Sequence, residues 1–157
     1  MTVGRIEALS PEMAEPLAAL HTACFSPLPE TPWSETALRN ILHLPGVRGI
    51  VAILEDRKPA GFLIVREIAD EAEILTICVG LESRRLGLAR KLLNHYLAQS
   101  EAARRVVLEV AVDNVAAIGL YTGLQFQQIG RRPNYYGCGA TRTDALIMAR
   151  ESIDIVP

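Results

Sequence analysis

Apolar residues in the first part of the chain return at Met13, Leu17, Leu20 and Cys24. That period gives a helix one apolar stripe, suited to lying on a sheet. Ser10, Pro11 and Glu12 just ahead of it supply a cap, a first-turn proline and a first-turn acid, so a helix should begin there. Val3 to Leu9 reads as a short strand before it. The segment SPLPETPW places three prolines between Ser26 and Trp33, which cannot continue a helix. Ser34 and Glu35 restart one that runs to about Leu44.

From Val47 the period shortens. VRGIVAILE, AGFLIVREI and EAEILTICV, separated at Asp56 to Pro59 and at Ala69 and Asp70, read most simply as three antiparallel strands. Helical spacing returns from Gly87 to Ser100, with Leu88, Leu92, Leu93, Tyr96 and Leu97 on one side and Arg90, Lys91, Asn94 and His95 on the other. VVLEVAV is a further strand, Asn114 opens a helix through Tyr121, and Phe126 to Tyr136 and Arg142 to Arg150 are strands around a glycine-rich turn. No repeat or linker interrupts this order. It predicts one α/β (α+β) domain spanning 1–157, with a mixed, mostly antiparallel sheet of about seven strands and helices on both faces.

Composition narrows the possibilities. The chain has 157 residues, 50% hydrophobic and 22% charged, enough apolar material to offset its ordering entropy. A net charge of -2 gives no basic field for holding nucleic acid by its phosphates. The longest apolar runs, such as GIVAIL, fall well short of the ~20 residues that cross a bilayer, so no membrane partner is expected. MTVGRIEALSPEM lacks the basic stretch and long apolar run of an export signal, which makes the cytoplasm the expected location. Cys24, Cys78 and Cys138 are odd in number and none forms a CxxC pair, which predicts free thiols. With no HExxH and no clustered ligands, no metal is expected.

The candidate chemistry begins at ILTICVGLESRRLGLARKLL. There an apolar strand leads through a polar loop into a helix start marked by Gly87. Free N–H groups from Ser83 to Ala89 and the positive end of the helix dipole suit a pyrophosphate. Arg84, Arg85 and Arg90 add charge, while Gly87 and Ala89 keep bulk away from the main chain. Read alone, the segment is equally an ordinary loop with arginines.

RRLGLA resembles the Q/R-x-x-G-x-G/A signature of the GNAT acetyltransferases. EVAVDNVAAIGLYTGLQF is similar to that superfamily's next strand and helix. PWSE near Trp33 and GRRPNYY from Gly130 look like the bacterial ribosomal-protein alanine acetyltransferases. The resemblance covers most of the chain and implies the GNAT fold, with acetyl-CoA as co-substrate. It implies that main-chain groups of the strand segment Ile77, Cys78 and Val79 hold the pantetheine. Arg84, Arg85, Leu86, Gly87, Leu88, Ala89 and Arg90 would hold the pyrophosphate, and Asn114 and Tyr121 would line the thioester end. It further implies Glu109 as general base, Tyr121 as general acid, and a protein N-terminus as acceptor, an alanine of a small-subunit ribosomal protein. A lysine side chain, a small amine, and a non-catalytic acyl-CoA-binding role remain alternatives, and the oligomeric state stays open between monomer and weak dimer.

The residues themselves fit such chemistry. A protein α-amine has a pKa near ~8 and needs a base before it attacks a thioester. Glu109 interrupts the apolar run VVLEVAV, where desolvation is expected to raise its proton affinity, although a strand acid is also often tied to a structural arginine. Tyr121 is either a proton donor or a packed aromatic, and Asn114 is a contact, a helix cap, or both. Trp33, Tyr135 and Tyr136 are candidate walls of an acceptor groove. Glu67, Asp70, Glu71 and Glu73 read as a solvated hairpin that also has the charge to attract a basic substrate. The chain departs from the family at LQF, Leu124 to Phe126, where LGF is usual; either Gly123 stops the helix early or Gln125 is strained.

Overall fold

The computed structural model describes residues 2–28, 30–99, 103–137, 140 and 142–152. Cys138 and Ser100, which carry expectations above, lie outside them. In chain order the elements are β1 (Val3–Ala8), α1 (Ala14–Phe25), α2 (Glu35–Leu42), β2 (Val47–Leu54), β3 (Pro59–Ile68), β4 (Glu71–Val79), α3 (Leu88–Gln99), β5 (Arg105–Ala111), α4 (Val115–Gly123), β6 (Gln127–Tyr136) and β7 (Thr143–Glu151). Each strand and helix expected from the pattern is present, with ends shifted by a few residues. Ser10 makes no side-chain cap bond; Pro11–Met13 is a short 3-10 turn and the α-helix starts at Ala14. At the next helix Ser34 does cap, its Oγ accepting the Ala37 N–H at 3.1 Å.

The seven strands form one sheet in the order β1-β2-β3-β4-β5-β7-β6. Residues of β3 alternate between its faces, as strand geometry requires. Leu63 and Val65 pack with Leu88, Leu92, Leu93 and Tyr96 of α3 and Tyr121 of α4. Phe62 and Ile64 pack with Leu17 of α1 and Leu38 of α2. Burial on both faces explains why AGFLIVREI is nearly continuous in apolar residues rather than alternating. Each leucine so buried contributes roughly 1.5–3 kcal/mol from its removal from water.

All neighbouring strands run antiparallel except β4 and β5. That parallel pair is short, joining only Glu71, Ala72 and Glu73 to Arg105, Val106 and Val107. Against β3, the register of β4 passes from Ile74 to Thr76 and leaves Leu75 as an extra residue. A bulge of this kind bends the strand that carries it. Beyond it β4 and β5 diverge, and the sheet opens into a cleft.

The end of α4 settles the question raised by LQF. Gln125 adopts a left-handed backbone, φ 71, and Gly123 remains helical. The Phe126 N–H donates to Tyr121 O at 3.0 Å and the Gln125 N–H to Thr122 O at 3.1 Å, the paired bonds of a Schellman stop. The Tyr121 and Phe126 rings meet with centroids 5.7 Å apart. A side chain in this backbone region costs about 1 kcal/mol or more. Gln125→Gly should therefore raise the unfolding free energy by about 0.5–1 kcal/mol in urea denaturation. No gain would mean that Gln125 carries an offsetting contact.

Candidate functional site

The opening between β4 and β5 forms a cavity of about 1170 Å³. Its walls come from the outer edge of β4, the loop into α3, and α4, and its mouth from the α1–α2 segment and the end of β6. Arg84 Nε donates to Val79 O at 3.3 Å and the Cys24 thiol donates to the same oxygen at 3.1 Å. Val79 O thus points away from β3, and alternation turns the main-chain groups of Ile77 the same way.

The loop 84–90 is shaped by two left-handed residues, Arg85 at φ 64 and Gly87 at φ 71. A Cβ placed on Gly87 meets no atom within 4 Å and would stand in open space. The helix then starts: the Lys91 N–H is bonded to Gly87 O at 3.0 Å, so the N–H groups of Leu88, Ala89 and Arg90 have no acceptor within the helix. Arg84, Arg85 and Arg90 all line the cavity, although Arg90 also lies over α4, its Nη2 3.0 Å from where a Gly123 Cβ would stand. Leu86 is exposed and its side chain is not among the lining groups. A glycine cradle, free helix amides and three arginines suit an anionic, extended molecule such as a CoA diphosphate.

At the other end, the Asn114 side chain caps α4, accepting the Ala117 N–H at 3.2 Å, and also lines the cavity. Tyr121 is buried, at 5% exposure. Its hydroxyl is held well above the ordinary tyrosine range, first by burial and then by the charge of Glu30. Tyr136 is raised in the same way, by burial, then Glu30, then Glu109. Tyr135 is half exposed, packs edge-on against Tyr136 with ring centroids 4.9 Å apart, and is raised chiefly by its hydrogen bond to Glu109.

Glu109 lines the cavity, and of the two surroundings expected for it the structure shows the arginine partner. Its Oε1 pairs with Arg132 Nε at 2.8 Å. The reason lies in the register: Glu109 stands opposite Ile147 of β7, and β6 lays Arg132 against the neighbouring Ala145. A cation from a strand remote in sequence therefore reaches a carboxylate that sequence shows only among valines and a leucine.

Several contributors were not visible in the sequence. The buried His21 ring accepts the Trp33 N–H on Nδ1 at 3.0 Å, which leaves Nε2 as the donor to Thr76 Oγ1 at 3.2 Å. It is stacked on Phe25 and Trp33, with centroids 4.2 and 5.1 Å away. This one residue ties the start of α2 and the whole α1–α2 segment to β4. Cys24 and Cys78 lie side by side, each thiol also bonded to a carbonyl next to or one turn from the other. The neighbouring Cys78 thiol, with Arg84, holds Cys24 low, while Cys24 and burial push Cys78 up. Glu30, in the three-proline segment, also lines the cavity. Of the acidic group, Glu73 lines the cavity, whereas Glu67 pairs with Arg48 at 2.9 Å and accepts the Tyr96 hydroxyl at 2.7 Å.

His21 has a consequence that can be measured. Burial lowers its pKa to about 4, from 6.5. The unfolded chain therefore binds this proton more tightly, and stability falls as pH drops from about 6.5 towards 4. From pH 7 to 4.5 the stability advantage of the wild type over His21→Ala should shrink by about 2 kcal/mol. An advantage that stays constant across that range would show that the ring is not held neutral.

Comparison with known proteins identifies the family and the fold. Residues 14–126 match the family model described as the Acetyltransferase (GNAT) family. The ribosomal protein bS18 alanine N-acetyltransferase of Salmonella typhimurium is 36% identical over 121 residues, 75% of this chain and 80% of that protein. Among solved structures, the ribosomal-protein-S18-alanine N-acetyltransferase of Escherichia coli superposes with a TM-score of 0.85 at 29% identity, covering 94% of this chain and 92% of that one. The fold is shared with a spermidine N-acetyltransferase of Vibrio cholerae solved with CoA and spermine, TM-score 0.76 at 22% identity, covering 94% of each chain. Among the described residues, no helix is long and apolar enough to cross a membrane.

Proposed function

From the premise that the chain belongs to the GNAT acetyltransferase family, we propose that it moves the acetyl group of acetyl-CoA to the α-amine of a protein N-terminus, an alanine of a small-subunit ribosomal protein. The observation that carries this reading is the continuous cavity. It joins a glycine-and-arginine cradle to a mouth bearing Trp33, Tyr135, Tyr136 and carboxylates. The likeness to the bS18 enzymes supports the choice of acceptor.

Bound acetyl-CoA supplies a thioester, which reacts with amines without prior activation. The amides at the start of α3 and the arginines of the loop hold its diphosphate, and the outward main-chain groups of Ile77 and Val79 hold its pantetheine arm. Fixing the donor in this way converts a bimolecular encounter into a step within one complex. Glu109 takes the proton that the attacking amine must lose, with Arg132 fixing the carboxylate in place. Tyr121 stays protonated at neutral pH because it is buried, and burial likewise strengthens the proton affinity of a thiolate left beside it. The donated proton goes to that sulfur. Cytoplasmic action fits an acceptor of this kind.

The test is intact-mass spectrometry of the small-subunit acceptor after incubation with the chain and acetyl-CoA. A gain of one acetyl group, located at the first residue by fragmentation, is the expected result. Acetylation confined to lysine side chains would overturn the acceptor, and no transfer to any amine would overturn the reaction.

A further inference from the structure

Three carboxylates line the cavity, Glu30, Glu73 and Glu109; Glu73 is exposed, and the other two are not equivalent. Glu109 is engaged by Arg132 at 2.8 Å. Glu30 stands in no ion pair among the described residues, although it is half-buried. Both line the cavity together with Tyr121 and Tyr136, Glu30 entering it from the segment ahead of Trp33 and Glu109 from β5.

The chain holds Glu30 there at some cost. It lies three residues before Trp33, whose N–H is fixed to the buried His21, and His21 is in turn bonded to Thr76 of β4. The segment is thus tied to the strand that lines the cavity. A carboxylate taken out of water without a cation is unfavourable, and burial accordingly raises the proton affinity of Glu30. A cation arriving beside it would relieve that penalty, and the reaction brings one: the acceptor amine reaches the site mostly protonated.

We propose that Glu30 is the acceptor-binding carboxylate, receiving the protonated α-amine in the cavity before Glu109 removes its proton. The proposal rests on the acceptor reading above and deepens it. It divides the work between two acids: Glu30 recognises the amine by charge, and Glu109, anchored by Arg132, acts as base. It also gives the site a preference for a free, charged N-terminus over a neutral or blocked one.

The test compares two probes bound to the full chain in the presence of CoA, where no transfer occurs. One is a short peptide beginning with alanine and the other is its des-amino analogue, beginning with a propionyl group. The wild type should bind the amine peptide about tenfold to a hundredfold more tightly than the analogue. Glu30→Gln should bring the two close together by weakening the amine peptide alone, and Glu30→Asp should restore part of the difference. If Glu30→Gln weakens both probes equally, or neither, Glu30 is a structural part of the loop and the proposal falls. If the wild type acetylates the peptide but does not distinguish the probes, the proposal falls while the acceptor reading stands. If the wild type neither binds nor acetylates the peptide, the acceptor reading falls and takes the proposal with it.

Discussion

Glu109→Gln should lower kcat for an alanine-first peptide by about 10²–10⁴-fold at neutral pH, the range that a positioned base contributes. The substitution keeps shape and hydrogen bonding but removes the proton acceptor, leaving the small unprotonated fraction of the amine to react unaided. Folding should be almost unaffected. The Arg132 side chain is 56% exposed, so the ion pair lost with Glu109 is worth at most about 1 kcal/mol and Arg132 remains in contact with water. Acetyl-CoA affinity should hold, because the carboxylate lies at the other end of the cavity from the glycine cradle. A rate within threefold of wild type, measured with acetyl-CoA and peptide both saturating, would reduce Glu109 to an anchor for Arg132 and Tyr135.

Gly87→Val should weaken acetyl-CoA binding by about tenfold to a hundredfold, read by calorimetry. Two effects act together. At φ 71 a β-branched residue is strained by about 1–2 kcal/mol, and relieving that strain moves the amides that begin α3. The new side chain would also occupy the open space that a Gly87 Cβ faces, the space proposed for the diphosphate. Gly119 provides the control. Its Cβ also meets no atom within 4 Å, but its backbone is ordinary helix, so Gly119→Ala should leave acetyl-CoA binding intact and stabilise α4 by up to about 1 kcal/mol. Equal binding by Gly87→Val and wild type would put the diphosphate somewhere other than this loop.

How much of this could be read in the sequence depended on whether the cause was local. The β3 run AGFLIVREI and the α3 stripe Leu88, Leu92, Leu93 and Tyr96 declare themselves because period and burial come from neighbours a few residues away. The loop before α3 was legible for the same reason: its glycine, arginines and helix start are contiguous. Arg132 beside Glu109 was not, since that contact depends on which strands become neighbours and in what register. Glu30 was hidden by its context. Among prolines it looks like part of a breaker, and only the tether from His21 to Trp33 brings it over the cavity. Gln125 shows a third case, in which the motif gave two outcomes and local energetics decided between them. The Schellman bonds and the Tyr121–Phe126 contact outweigh the strain of one left-handed glutamine.

The short β4–β5 pairing also bears on contact with other copies of the chain. From Ile74 onward β4 has lost its partner on one side, and unpaired strand backbone of that kind ordinarily recruits a strand from another chain, the route to aggregation. Here the exposed stretch is recessed. α1 and α2 cover one face of the sheet and α3 and α4 the other, so the gap admits a slender arm more readily than a second strand with its side chains. A gap of this shape, proposed above to take a pantetheine arm, therefore also hinders the addition of a neighbour's strand.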